Sequence, residues 1–524
     1  MEPRVPVTFG PAETTVWVSP GTTIAAAARQ AGVLLATPCG GRGVCGSCGV
    51  RVETGSLAPA DAAELAGLKR APEGVRLACR ALVSEAVRVR PLVSYATGHT
   101  ERRALAGGVE LVAGIDLGTT SVAALLVEAT SGRELARASV RNRQITFGAD
   151  VLARMSAALS GSGSDLRRLA EESIAEALSQ ASSTAGVDLA DVGRAMIAGN
   201  TVMAALLLGA DVSRLSVHPF AIPEMSVTLP KGSAISAVLG ADARIELVPP
   251  IAAFVGGDAL AATVAAGLVD ASRPTLLVDL GTNAEIVLAG TGPLITASTA
   301  AGPAFEGVGV SCGGPAASGA VDSVRINDSE VTLHVIGDTE PRWLSGSGIV
   351  SLVAALRGSQ ALGADGRLRS GTDSTGRFFA DDAGVEWFGL QAGAAEKGGL
   401  AISQLDIRTF QLAKAAVRVG IQAVLHRARL SPSDLSEVCI AGAFGSAISP
   451  EDLVELGVLP LGSASRTRVV GNAALEGAAA MALDPGLMVL AARTARDAIH
   501  VDLAGDSMFG VAFVKATELD EWGT

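Results

Sequence analysis

Between Cys39 and Cys48 the chain reads CGGRGVCGSC, three cysteines separated by five and then two residues, and a fourth, Cys79, follows in RLACR. Thiolates are the natural ligands of iron–sulfur clusters, and four of them complete a 2Fe–2S centre, two on each iron. The glycines fit that purpose. A backbone wrapped around a cluster must turn sharply and aim its N–H groups at the sulfurs, which residues without a Cβ do at least steric cost. A disulfide framework suits a small secreted chain, not one of 524 residues with no secretory start. A structural zinc site usually draws on two short Cys pairs, whereas here a tight triplet precedes one distant cysteine. Cys39, Cys45, Cys48 and Cys79 are therefore expected to hold a 2Fe–2S cluster. The remaining cysteines, Cys312 and Cys439, stand far apart; Cys439, in EVCIAGAFG, reads as a small hydrophobe in a buried strand.

A chain this long exceeds one ordinary core, so two or more domains are expected. Lys and Arg number 41 against 53 Asp and Glu, a net charge of −12 that argues against a nucleic-acid partner. Residues 1–90 run against this trend, with ten basic and seven acidic side chains. The opening MEPRVPVTFG lacks a secretory pattern, and no window of 18 uninterrupted apolar residues occurs. The expectation is a soluble, cytoplasmic protein with no membrane partner.

In chain order, RVPVTFG and TTVWV predict a hairpin, and Thr22 or Thr23 caps a following helix that ends at Gly32. After the cysteine loop come a strand near 49–53, a helix at 60–68 and closing strands in VRLACR and AVRVRPL. Residues 91–108 read as a linker. Beyond it the texture changes. VELVAGIDLGTTSVAALLVEAT and TLLVDLGTNAEIVLAG share one pattern, an apolar strand, Asp-Leu-Gly-Thr, then a second apolar strand, which predicts two related subdomains. Helices are expected at 151–158 and 165–183, a strand in AMIAGN, and a long amphipathic helix carrying Phe410, Ala413, Val417, Ile421 and Val424 on one face.

No Gly-Lys pair occurs anywhere, so a Walker-type phosphate loop is excluded. The two Asp-Leu-Gly-Thr turns offer another way to hold phosphate. Gly118 and Gly281 let backbone N–H groups approach phosphate oxygens, while Thr119, Thr120, Thr282 and Asn283 add donors. Asp116 and Asp279, ending their strands, are candidates to hold Mg²⁺ through water. Asn200 reads as a loop cap, with positioning of a water as the alternative, and Asp258 and Glu306 are further acidic candidates, each read first as a helix cap or structural hydrogen bond. Lys397 and Lys414 are read as solvated, with reach to a nucleotide as the alternative. The five histidines show no metal-ligand spacing.

The order DLGTT, GNT, DLGTN, AGAFG, GNAAL resembles the phosphate loops, connecting segments and adenosine loop of the actin-like ATPase superfamily. That resemblance implies ATP between two RNase-H-like lobes, Gly442 and Gly445 beside the adenosine, and Asp116 and Asp279 on magnesium. The N-terminal part resembles β-grasp 2Fe–2S ferredoxins, some of which use the five-residue gap. The whole resembles a narrower family, the ATP-dependent reductive activators of corrinoid proteins, on the phrases CGGRGVCGSC, FGADVLAR, GNTVM, VGGDAL, DLGTNAE, AAGPAFEG, DIRTFQLAKAA and GNAALEGA. The fold class implied is an α+β, β-grasp ferredoxin-like domain over 1–90, then an α/β actin-like ATPase of two lobes over 109–524. The activity implied is reduction of an inactive Co(II) corrinoid protein to Co(I) for a methyltransferase, fed by an external electron donor. Oligomeric state stays open, a homodimer included. Three departures stand out: Ser345 replaces a frequent cysteine before Gly346, SCGGPAASGAV differs from the usual Gly-Met-Arg-Ala sequence, and residues 91–108 leave no room for an inserted segment.

Plant-type 2Fe–2S clusters lie near roughly −400 mV. By the resemblance, base-bound Co(II) is harder to reduce, and each ~59 mV of one-electron deficit costs about 1.4 kcal/mol. A second energy source is therefore expected, with nucleotide state altering affinity for the corrinoid protein. Three rivals make different predictions. A small-molecule kinase would be indifferent to loss of Cys45. A redox-sensing interaction protein would show no magnesium-dependent turnover. An ATP-driven carrier for another low-potential protein acceptor would ignore cobalt.

Overall fold

The computed structural model describes residues 4–522 apart from 11–12, 32, 34–47, 69–73, 92–110, 149, 230–231, 241, 328–329, 370–375, 392–393, 395–398, 443–447 and 504–508. Cys39, Cys45, Gly32, Lys397, Gly445 and nearly all of the expected linker lie outside the described residues. The chain forms two compact units. One comprises Met1–Ser272, Gly292–Leu294 and Asn472–His500; the other comprises Arg273–Thr291, Ile295–Gly471 and Val501–Thr524.

The N-terminal strands form where β-branched residues alternate. β1 (Val5–Phe9) and β2 (Thr14–Val18) make an antiparallel hairpin with Val7 opposite Val16. α1 (Ile24–Ala31) starts where Thr23 Oγ1 accepts the Ala26 amide at 3.1 Å. β3 (Gly49–Leu57), α2 (Ala62–Leu68), β4 (Val75–Leu77) and β5 (Val83–Pro91) follow, and the sheet runs β2-β1-β5-β3-β4 with β1 and β5 parallel. Val7, Ile24, Val50, Leu77 and Val89 are wholly buried between sheet and helix. Glu64 on α2 is also buried, yet Arg76 donates to both its oxygens at 2.8 and 2.9 Å and the Leu77 amide donates at 3.0 Å. Full bonding is what lets a carboxylate persist in a core, and here it clamps β4 to α2.

The remainder of the first unit is built on β6 (Leu111–Leu117), β7 (Ser121–Glu128), β8 (Glu134–Arg141), β9 (Val192–Gly199) and β10 (Arg244–Leu247). The sheet order is β10-β9-β6-β7-β8; β6, β7 and β8 are antiparallel, and β9 and β10 run parallel to β6. Its helices include α3 (Val151–Ala157), α4 (Gly163–Ala185), α5 (Thr201–Leu208), α6 (Ala234–Leu239) and α7 (Gly257–Ala265). Alternate residues of β6 enter opposite faces. Leu111, Ala113, Ile115 and Leu117 join Ile174 and Leu178 of α4, while Val112 joins Leu260 of α7 and Leu475 and Met481 of the helix Ala473–Leu483. Both faces are covered, so the strand is apolar throughout rather than alternating. The helix Ala473–Leu483 lies so close to α7 that a Cβ on Gly477 would sit 1.9 Å from the Ala261 carbonyl oxygen.

The second unit repeats this topology. β11 (Thr275–Leu280), β12 (Ala284–Ala289) and β13 (Ile295–Thr299) are antiparallel, and β20 (Glu437–Ala441) and β21 (Thr467–Gly471) run parallel to β11. Five strands of this six-stranded sheet, in the order β21-β20-β11-β12-β13, follow the order and directions of the first sheet. Two small sheets lie between: β14 (Ala320–Asn327), β15 (Glu330–Val335) and β16 (Trp343–Leu344), then β17 (Phe378–Ala380), β18 (Glu386–Gly389) and β19 (Ala401–Ser403). α8 (Gly346–Gly358) is capped by Ser345, whose hydroxyl accepts the Gly348 amide at 3.2 Å. At this position the serine is therefore a helix cap.

The expected long helix spans Gln404–Ala428, and its apolar face buries Phe410, Ala413, Val417, Ile421 and Val424. Lys414 departs from the solvated or nucleotide-reaching reading. It is fully buried, and its ammonium donates to the Glu518 carbonyl. The C-terminal segment covers this flank of the helix: Gln411 donates to the Thr517 carbonyl at 2.8 Å, Arg418 reaches the Asp520 carboxylate at 3.1 Å, and its guanidinium stacks on Trp522. Burial above all lowers the Lys414 pKa from 10.5 to about 7. The folded chain thus binds this proton less well than the unfolded one, and stability should rise with pH between about 7 and 10.5. Lys414→Met is expected to abolish that rise; an unchanged slope of melting temperature against pH would contradict it. Among the described residues no helix is long and apolar enough to cross a membrane.

Candidate cluster and nucleotide sites

Cys48 and Cys79 belong to the ferredoxin-like sheet. Cys48 immediately precedes β3 and Cys79 follows β4 after one residue; Gly49 pairs with Leu77 and the Ala78 amide donates to the Cys48 carbonyl at 2.9 Å. The register therefore brings the two residues to the same end of this strand pair, and both are buried within the domain core. The neighbouring chain is pinned as well. Asp61 accepts the Glu64 amide at 2.7 Å and forms an ion pair with Arg80. Two thiols on adjacent strand ends, held by ladder bonds rather than by a flexible loop, suit ligation of a soft metal.

The first Asp-Leu-Gly-Thr turn links β6 to β7, with Leu117 opposite Val122. Gly118 is demanded by the turn itself, since a Cβ there would come within 2.7 Å of the Ser121 carbonyl oxygen. Asn142, wholly buried, holds the turn from behind: its Nδ2 donates to the Gly118 carbonyl at 2.8 Å and its amide to the Thr120 carbonyl at 3.0 Å. Asn200 caps α5 by accepting the Met203 amide at 2.9 Å and also donates to the Thr119 hydroxyl at 3.2 Å.

Asp116 sits on the β6 face that carries α7 and the helix Ala473–Leu483. Asn472 caps the latter helix and donates from Nδ2 to Asp116 Oδ2 at 2.9 Å. Asp258 lies in the first turn of α7, but it is not the cap; that position is Gly256. Its carboxylate accepts the Ala259 amide at 2.8 Å. A Cβ on Gly256 would meet the Asn200 Cα at 2.4 Å and Asp258 Oδ1 at 2.7 Å, so these groups crowd one corner. Burial, opposed by the Asn472 bond, pushes Asp116 up to about 6. Burial, and behind it the Asp116 charge, raises Asp258 against the pull of the Ala259 amide. Two buried carboxylates, one of them raised further by the charge of the other, form an all-oxygen donor set suited to a hard cation. Sequence reasoning gives Asn472 no site role and ranks Asp258, an acidic candidate, first as a helix cap or structural hydrogen bond. Gly-Gly-Asp reads as an ordinary helix start, and 356 residues separate Asn472 from Asp116.

The second turn links β11 to β12, with Leu280 opposite Ala284 and the Gly281 amide donating to the Asn283 carbonyl at 3.0 Å. Thr282 donates its hydroxyl to Glu306 at 3.0 Å, and its carbonyl accepts the Gly302 amide at 2.8 Å. Glu306 thus makes a structural hydrogen bond to this turn. Asp279 stands directly opposite Glu285 and alongside Ala441 of β20. Gly442 follows with φ 129°, a conformation open to glycine, and donates its amide to the Gly471 carbonyl at 3.0 Å. Cys439 is buried in β20 and its thiol is pushed up to about 12, consistent with a small apolar core residue.

The 2Fe-2S iron-sulfur cluster binding domain family matches residues 7–84, the RACo middle region matches 111–271, and the C-terminal domain of RACo, the ASKHA domain, matches 273–523. Together with the two matching sheets, these define a chain that joins a 2Fe–2S ferredoxin domain to an ASKHA nucleotide-binding fold. Corrinoid activation enzyme RamQ of Eubacterium limosum is 32% identical over 413 residues, covering 77% of this chain and 69% of that protein. The [Co(II) methylated amine-specific corrinoid protein] reductase of Methanosarcina barkeri is 25% identical over 381 residues, covering 71% and 69%. The solved structure of a reductive activator for corrinoid, iron-sulfur protein shares the fold, with a TM-score of 0.72 and 24% identity over 99% of this chain and 98% of that one. The chain belongs to the RACo family of corrinoid-protein activators.

Proposed function

We propose that this protein is an ATP-dependent reductive activator, delivering one electron from its 2Fe–2S domain to an inactive Co(II) corrinoid protein and regenerating Co(I). The observation that carries the reading is the union, in one chain related to RamQ over most of its length, of a cluster-binding ferredoxin domain and an ASKHA fold. Residues 1–90 form the electron module, 91–108 the linker and 109–524 the nucleotide module. Cys39, Cys45, Cys48 and Cys79 hold the cluster, whose chemistry is to accept and release one electron. An external donor supplies that electron, in the reducing cytoplasm.

In the nucleotide module, Gly118, Thr119, Thr120, Gly281, Thr282 and Asn283 receive the phosphates, and Gly442 and Gly445 flank the adenosine. Asp116 and Asp279 bind Mg²⁺, with Asp258 adding charge beside Asp116 and Asn472 fixing the Asp116 rotamer. Nucleotide binding does useful work only through a difference in affinity for the corrinoid protein between nucleotide states.

The test mixes anaerobic protein, a chemical reductant, Mg-ATP and a Co(II) corrinoid protein while the cobalt spectrum is followed. Co(I) is expected only with ATP present. No Co(I) or methylcobalt with several corrinoid proteins would sink the assignment, and Co(I) without ATP would sink its energetic half.

A further inference from the structure

Among the described residues the largest fully buried side chain is a cation, Arg154 on α3. All its hydrogen bonds run to neutral acceptors. Nε donates to the Gly148 carbonyl at 3.1 Å, Nη1 to Gln144 Oε1 at 3.1 Å and Met203 Sδ at 3.3 Å, and Nη2 to the Thr119 carbonyl at 2.6 Å. No carboxylate among the described residues forms an ion pair with it. The acidic group whose charge it feels is Asp150, and that carboxylate is engaged in capping α3 through the Ala153 amide at 2.9 Å. Burial lowers the guanidinium pKa to about 10, so the group is still charged at neutral pH.

Burying a charge without a counter-ion is costly, and an opposite charge binding nearby would offset that cost. The Arg154 bond to Thr119 shows where that charge would arrive. In a trans peptide the N–H points opposite to the C=O, and no peptide in this turn is cis. Asn142 on the Gly118 carbonyl and Arg154 on the Thr119 carbonyl therefore turn the amides of Thr119 and Thr120 to the other side of the loop. Consecutive amides presented this way attract anions, and a buried cation directly behind them extends the field through a medium that screens it little.

We propose that Arg154 is a positioning residue for nucleotide phosphate, supplying from behind the Thr119 peptide the positive charge that complements bound phosphate without touching it. This rests on the nucleotide reading above. It predicts that Arg154 contributes to recognition of the phosphates and nothing to that of the nucleoside.

Calorimetric titration of the full-length protein with ADP, ATP and adenosine, each with magnesium, separates the two. Gln144→Glu sets a carboxylate against Nη1 and neutralises the cation in place, at the cost of the bond that Gln144 Nε2 donates to the Leu166 carbonyl at 2.7 Å; it is expected to weaken ADP and ATP about tenfold or more and leave adenosine unchanged. Arg154→Gln should weaken phosphate-bearing ligands similarly, and Arg154→Lys, which keeps the charge, should retain most of the affinity. ADP affinity unchanged in Gln144→Glu, or adenosine weakened as much as ADP, would overturn the proposal. Failure of the wild-type protein to bind any of the three would instead overturn the nucleotide reading on which it rests.

Discussion

Full-length protein carrying Cys79→Ser is expected to come out of anaerobic purification with its iron and sulfide content lowered at least about tenfold and its visible absorption lost. The sheet is the reason. Cys79 stands one residue beyond β4, a three-residue strand held by its register with β3 and by the buried Glu64–Arg76 pair. A serine there keeps these bonds, because the backbone carries the register, so the domain should still fold. What it loses is the thiolate, and an alkoxide is a poor substitute on a soft metal at neutral pH. Cys312→Ser is the control. Burial pushes that thiol up to about 12, and it lies in the other unit; cluster content should be unaffected. Nucleotide binding should survive in both variants. Undiminished iron in Cys79→Ser would remove Cys79 from the ligand set.

The second large effect concerns Asp116→Asn. Magnesium-dependent ATP turnover should fall by roughly 100-fold, on the scale seen when a group stabilising transition-state charge is removed. The nucleotide-free variant should nevertheless melt higher than wild type near neutral pH. Asp116 and Asp258 bind protons more tightly in the folded chain than in the unfolded one, so stability falls as pH rises from about 3.8 to about 6 for Asp116. Above that range the full cost of burying the Asp116 charge remains, with its repulsion of Asp258 behind it, and an amide at position 116 removes both while keeping a partner for Asn472. Magnesium with nucleotide should raise the wild-type melting temperature more at pH 8 than at pH 5.5, since the cation answers a charge present only at the higher pH. A variant that melts no higher, with pH-independent stabilisation of the wild type, would show that the two carboxylates are already compensated by other groups.

The parts of this architecture that were legible in the sequence are those carried by short-range pattern. The duplicated sheet could be anticipated because β6 and β11 are each covered on both faces and so read as unbroken apolar runs ending in the same tetrapeptide. The β1–β2 hairpin and the Thr23 cap are local in the same sense. Arrangements that depend on distant segments were not legible. Lys414 follows Ala413 on the helix Gln404–Ala428 and looked solvated, because nothing nearby in sequence announces that Thr517–Trp522 will cover it. Asp258 passed for a cap because a helix start is a common place for an aspartate; its proximity to Asp116 is set by the way α7 and the helix Ala473–Leu483 cross at Gly477. Arg154 gave no signal of its own, since a fully buried arginine is spelled no differently from an exposed one.

The two copies of the sheet are alike in topology but unlike at one cross-strand position. Opposite Asp116 in the first copy is Ala123, whereas opposite Asp279 in the second is Glu285, and residues paired directly across an antiparallel ladder project from the same face. With Glu306 bonded to Thr282, the second turn is surrounded by acids from its own strands and the adjoining loop, while the first gains its extra acid from a helix and has an arginine at its back. Duplication therefore did not leave two interchangeable half-sites. The first turn carries a buried arginine behind its peptides and the second a cross-strand acid, and exchanging Ala123 and Glu285 between the copies would be expected to move that acid from one scaffold to the other while leaving both intact.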